Sequence, residues 1–137
     1  MSNLDERLVG WETWEGHDPF EDYCGPMYFR NFEGEYKCRL LLGPQHMNGQ
    51  GNVHGGVLMT FADYALFFIP RKELEGIGAV TVSFNCDFMG PAGVGDMLEA
   101  TGEVIHETGR LLFVRGLVKR GDDNLLNFSG LLRKVRR

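Results

Sequence analysis

A chain of 137 residues, 43% hydrophobic and 24% charged, is long enough for one domain with its own core and too balanced in composition to be disordered. Its net charge of −5 argues against a general nucleic-acid binder, because neutralising phosphates takes a basic surface. Cys24, Cys38 and Cys86 are odd in number and include no C-x-x-C pair, which points away from a disulfide framework and from a zinc site. Residues 2–15 are acidic and carry two tryptophans instead of a basic-then-apolar leader. The longest apolar run, residues 57–69, is too short to span a bilayer. A cytoplasmic protein without membrane or nucleic-acid partners is expected.

Leu4, Leu8 and Trp11 recur at i, i+4 and i+7 behind Asp5 and Glu6, which predicts a short amphipathic helix ending near Gly10. Residues 15–34, with Gly16, Pro19, Gly25, Pro26 and Gly34, read as loop with one short strand around residues 27–30. Residues 1–34 are therefore set apart as an N-terminal helix and loop packing on a main body of residues 35–137. That body opens on a strand, residues 35–42, with Tyr36, Cys38, Leu40 and Leu42 on one face. After a helix come four more strands. In the first, Val80, Val82, Phe84, Cys86 and Phe88 alternate with Thr81, Ser83, Asn85 and Asp87. The others cover residues 96–106, 110–119 and 125–133, with turn chemistry at Glu107-Thr108-Gly109 and at Gly121-Asp122-Asp123-Asn124. Short turns favour antiparallel pairing, and a sheet of five or six strands buries an apolar helix only by curling around it. One chain of this length leaves the helix partly uncovered, so self-association is expected.

The helix belongs to residues 48–70, the most unusual stretch of the chain. A loop rich in glycine, holding Asn48, His54, Gly55 and Gly56, runs into an apolar segment that contains one carboxylate, Asp63, and stops at Pro70. Glycines at a helix start let a ligand approach the backbone, and the first N–H groups of a helix have no internal acceptor. With the positive end of the helix dipole they suit a polarised carbonyl; equally, the glycines serve tight packing. Asn48 reads as an amide aimed at the same place or as an ordinary turn residue, and His54 as a hydrogen-bonded turn histidine. Pairing His54 with His46 on a metal has no supporting spacing, and no metal or cofactor is expected. Asp63 is a structural carboxylate or a general base whose apolar neighbours raise its pKa towards neutrality. Eight residues of helix put it about 12 Å beyond Gly55, whereas a base acts within about 3 Å of the reacting atom. Two helices antiparallel across a two-fold axis reconcile the two, so a site shared between subunits is expected.

The pattern Asn48-x5-His54-Gly55-Gly56-x6-Asp63 resembles the hotdog-fold acyl-CoA thioesterases, and within them the PaaI-like branch of the phenylacetate pathway. VTVSFNCDFMGPA at residues 80–92, Gly95-Asp96 and Thr108-Gly109-Arg110 extend the likeness over residues 35–135. The resemblance implies an α+β hotdog fold, an antiparallel sheet wrapped around one long central helix. It implies hydrolysis of an acyl-CoA to a carboxylic acid and CoA, in homodimers that pair into tetramers. By the same resemblance Asp63 activates water or attacks directly, and the Gly55 N–H polarises the carbonyl, with Gly56 beside it. Asn48 places carbonyl or water, His54 orders the turn, and Thr81 assists the aspartate, with Ser83 as second choice. Arg110 and Arg115, with Lys119 and the terminal Arg133-Lys134-Val135-Arg136-Arg137 cluster behind them, are the cations available to the anionic CoA. Gly90 stands before Pro91 where relatives often carry a basic or bulky residue. Two alternatives stay open: an acyl-CoA-binding hotdog domain without turnover, and a hotdog hydratase or dehydratase using His54 with Asp63. A dinucleotide fingerprint fails at His54, and no P-loop or G-x-S-x-G elbow occurs.

Overall fold

The strands of this chain all pair antiparallel in one sheet, ordered β1-β2-β4-β5-β6-β3. They are β1 (Met27–Phe32), β2 (Glu35–Leu41), β3 (Gly78–Phe88), β4 (Met97–Glu107), β5 (Leu111–Arg120) and β6 (Asp123–Val135). The computed structural model describes residues 4–135, so Arg136 and Arg137 of the basic terminus lie outside the described residues. Two α-helices accompany the sheet, α1 (Pro19–Cys24) and α2 (Gly55–Leu66). Leu58, Phe61, Ala62, Tyr64, Ala65 and Leu66 of α2 are buried against Cys38, Leu40, Leu98, Ala100, Val114 and Phe128 of the sheet.

The sheet can curl this tightly because it lacks side chains where the end of α2 meets it. Gly102 and Gly116 face each other across β4 and β5, and Gly130 lies on β6. A Cβ on Gly102 would stand 2.7 Å from Ile69 Cδ1, and one on Gly130 would run into Leu66. Glycine in a strand marks such a close approach.

The helix is not covered all round. Gly56 and Met59 are exposed and Thr60, Asp63 and Phe67 are half-buried, a stripe at helical spacing that faces α1 and β3. The helix also stops at Leu66, before the apolar run does. Pro70 has no N–H to continue the ladder, and residues 67–76 proceed in turns, with Phe68 N–H and Ile69 N–H both bonding Ala65 O.

Two expectations are corrected at the N-terminus. The amphipathic helix ending near Gly10 is only a 3-10 turn, Glu6–Leu8, because the chain then straightens so that Glu12 can exchange two backbone hydrogen bonds with Phe29 at the edge of β1. The stretch read as loop contains α1. The strand expected around residues 27–30 is β1, paired along its length with β2.

A third correction concerns β3. Its apolar residues do not share one face, because the register with β6 slips between Thr81 and Ser83: Thr81 pairs with Leu132 and Ser83 with Leu131. Val82 is the extra residue of a β-bulge, which reverses the alternation. Ala79 and Thr81 before it, and Phe84 and Cys86 after it, turn towards the helix, while Val80 and Val82 are 46% and 51% exposed.

Candidate active site

The glycine-rich loop is built to present one backbone donor. His54 is the N-cap of α2, and its Nδ1 accepts the Gly56 N–H at 2.8 Å. His54 O accepts from both Val57 and Leu58. That leaves the Gly55 N–H without an acceptor among the described residues. Nδ1 of the imidazole thereby serves as the cap, accepting from the backbone. Gly56 carries an N–H that is already satisfied, so of the two glycines Gly55 holds the available donor.

Asn48 closes its own loop. Its Oδ1 accepts from Gln50 N–H at 2.9 Å and Asn52 N–H at 3.1 Å, and its N–H donates to Asn52 O at 2.7 Å. These bonds occupy the carbonyl end of the side chain and leave the exposed amide NH2 to donate elsewhere. His46 supports the loop from behind: it is 2% exposed, receives the Gly43 N–H on Nδ1 at 2.9 Å, and bonds Cys24 O through Nε2. His46 and His54 are thus both engaged with backbone, and no metal-ligating cluster occurs among the described residues.

Asp63 lies eight residues along the same continuous helix, about 12 Å from Gly55. Thr81 Oγ1 donates to Asp63 Oδ1 at 2.7 Å, a bond that exists because the bulge turns Thr81 inward. Burial raises the proton affinity of Asp63, the Thr81 hydroxyl opposes this, and the charge of Asp18 adds to it. Ser83, beyond the bulge, is exposed next to inward-facing Phe84 and does not reach Asp63. Arg115 pairs with Glu103 at 2.9 Å on the outer surface of the sheet. Within one subunit Ser83 and Arg115 are therefore on the side away from the helix, because strand alternation puts them there. Arg110 joins Arg133 and Lys134 around a groove of about 960 Å³, which shares Ile77 with the cavity beside Asp63.

That cavity holds about 480 Å³. Trp14, Phe67, Phe68 and Leu74 give it apolar walls; Asp63, with Asp18 and Glu21 from α1, supplies its carboxylates. A signal for α1 existed. Asp18 caps the helix by accepting the Glu21 N–H at 3.1 Å, Pro19 occupies the first helical position and Glu21 the third. Among the described residues no helix is long and apolar enough to cross a membrane.

Comparison with known proteins bears directly on this arrangement. The sequence profile of the Thioesterase superfamily matches residues 50–127, which include Asp63, Gly55 and Thr81. The candidate esterase PA0474 of Pseudomonas aeruginosa is 31% identical over 96% of this chain and 97% of its own. The acyl-coenzyme A thioesterase PaaI of Escherichia coli is 33% identical over 55% of this chain and 52% of its own. Among solved structures, the TT0310 protein of Thermus thermophilus superposes with a TM-score of 0.76 at 25% identity, over 88% of this chain and 100% of that one. The BH2602 protein of Bacillus halodurans, solved with CoA, superposes at 0.72 and 28% identity, over 80% and 74%. The six-stranded antiparallel sheet around one helix, the profile and these relatives agree: the chain belongs to the thioesterase superfamily, as a PaaI-like hotdog-fold thioester hydrolase.

Proposed function

We propose that the protein hydrolyses acyl-CoA thioesters at two equivalent sites of a homodimer, in which each Asp63 faces the partner's Gly55. One observation carries this reading: the unpaired Gly55 N–H and the Asp63–Thr81 pair occupy one helix about 12 Å apart, too far to act on the same carbonyl. Two such helices running antiparallel bring donor and base together twice. The outer edge of β3 supports the arrangement. It carries exposed Val80 and Val82, and Met59 of α2 is exposed as well, while the opposite edge of the sheet is partly covered by the Glu12 bridge to β1.

In this reading the Gly55 N–H, with the helix dipole behind it, holds the carbonyl oxygen as negative charge develops there. Asp63, deprotonated and fixed by Thr81, takes a proton from water as the water oxygen attacks the carbonyl carbon. The C–S bond then breaks, and the products are a carboxylic acid and CoA. The Asn48 amide donates to the attacking water or the carbonyl. The anionic nucleotide of CoA is assigned to the groove of Arg110, Arg133 and Lys134; Arg115, on the outer face, is left out.

Mixed oligomers test the shared site. An Asp63→Ala chain and an Asn48→Ala chain, each weakened by about 10²-fold or more, are unfolded together and refolded, and thioester loss is followed with an acyl-CoA panel. A random mixture contains dimers with one intact centre, so about a quarter of the wild-type rate should return. No recovery despite verified mixing places each centre within one chain.

A further inference from the structure

Three carboxylates, Asp18 and Glu21 from α1 and Asp63 from α2, line two cavities at once. The inner cavity is the one walled by Trp14, Phe67, Phe68 and Leu74. The outer one, about 320 Å³ between Phe20, Met59, Thr60 and Phe84, lies on the uncovered flank of α2. A group common to two cavities stands at the neck between them. A thioester filling both has its acyl group in one cavity and its thiol arm in the other, so its reacting atoms pass the neck. The Asp63–Thr81 hydrogen bond is at that neck, and so is the carboxyl of Glu21.

Glu21 has no part in the reaction described so far. Its main-chain N–H is held by Asp18 Oδ1, but its carboxyl has no hydrogen-bond partner among the described residues. The groups that face it are Asp18 and Asp22 on α1, Asp63 and Tyr64 on α2, buried Cys38 on β2, and Arg71 in the wall of the inner cavity. Acids outnumber the one cation. Burial, followed by the charges of Asp18, Asp63 and Asp22, pushes Glu21 up to about 7. Thr81 donates to Asp63 and so favours its ionised form, whereas among the described residues nothing donates to the Glu21 carboxyl. Two carboxyls whose surroundings hold one ionised and the other protonated divide base from acid between them.

We propose that Glu21 is the acid of this centre, giving its proton to the departing sulfur from the α1 side of the neck while Asp63 acts as base. The inference rests on the thioesterase reading. Water gives its proton to Asp63 as its oxygen bonds to the carbonyl carbon. When the C–S bond breaks, sulfur leaves with the bonding pair and takes the Glu21 proton. Transfer of the Asp63 proton back to Glu21 restores both groups, and the sum is thioester plus water to acid plus thiol.

The test is a pH profile of kcat and KM from pH 5 to 9 for wild type, Glu21→Gln and Glu21→Asp, with Asp63→Ala as reference. Thioester absorbance is followed, so that the readout does not depend on thiol ionisation. In the wild type kcat should fall above about pH 7, as Glu21 loses its proton. Glu21→Gln fills the same space but cannot give a proton, so kcat should drop about 10–100-fold with KM little changed and the alkaline fall gone. Glu21→Asp keeps a titrating group and should retain the fall at lower kcat, which decides the matter should the glutamine variant not melt cooperatively. Wild-type kcat in Glu21→Gln with the alkaline fall intact removes Glu21 from the chemistry while leaving the thioesterase reading standing. A wild type that cleaves no acyl-CoA overturns both.

Discussion

A carboxylate placed in a half-buried, apolar setting works against the fold that holds it there. Asp63 takes up a proton more readily in the folded chain than in the unfolded one, chiefly through burial and in spite of the Thr81 bond. Below the ordinary carboxylate range both states are protonated and folding incurs no penalty. As pH rises above that range the unfolded chain ionises first, and the folded state loses relative stability until Asp63 ionises too. Glu21 behaves likewise between its ordinary 4.5 and about 7. Asp63→Asn keeps an oxygen for Thr81 and has no charge to bury. It should therefore melt higher than wild type at pH 8, by about 4 °C for each kcal/mol relieved, with the gap closing towards pH 4. Thermal melts at the two pH values check this, and an Asn variant that melts lower at pH 8 would show that the ionised carboxylate contributes stability instead. The same substitution removes the base, so stability and activity should move in opposite directions.

At the scale of elements, the glycines of β4, β5 and β6 make the curl of the sheet a matter of close approach. Gly130→Ala should drive a methyl into the buried Leu66 side chain and cost about 1–3 kcal/mol. Shortening that side chain in the double variant Gly130→Ala/Leu66→Val should return part of it; chemical denaturation of wild type, both single variants and the double variant measures the coupling. Strict additivity would mean that strand conformation, and not Leu66, limits the site. Elements defined by local pattern were legible in the sequence: Cys38, Leu40 and Leu42 face inward from β2 and its extension as the alternation implies. The separation of Gly55 and Asp63 was legible because residues of one continuous helix keep a fixed spacing. What escaped were features decided by neighbours. Leu8 is buried as the periodicity implies, but the strand edge at Phe29 draws the following residues out of a helix. The inward turn of Thr81 depends on one residue of slip against β6, which no count along β3 can show. In α1, the Pro19 and Gly25 that suggested loop are the residues that start and end a helix too short to show a period. With it went Glu21 and one wall of the inner cavity.

At the scale of the whole molecule, β3 is the edge left open. Edge strands are protected from pairing by charge, and here the outward positions carry Val80 and Val82. Val82→Lys puts like charges across the proposed two-fold axis without touching Asp63 or Gly55. It should convert the protein to monomers by sedimentation and lower kcat/KM by at least about 10²-fold at the same concentration. Full activity in a verified monomer would sink the shared site. Val82 has a second consequence, which concerns the length of the chain rather than its composition. The two-residue rhythm of a strand is a reading frame, and Val82 is the single inserted letter that shifts it. Upstream the frame delivers a hydroxyl to Asp63; downstream it delivers Phe84 and Cys86 to the core. Excise that residue and one message must be lost, so the count of residues in this strand matters as much as their identity.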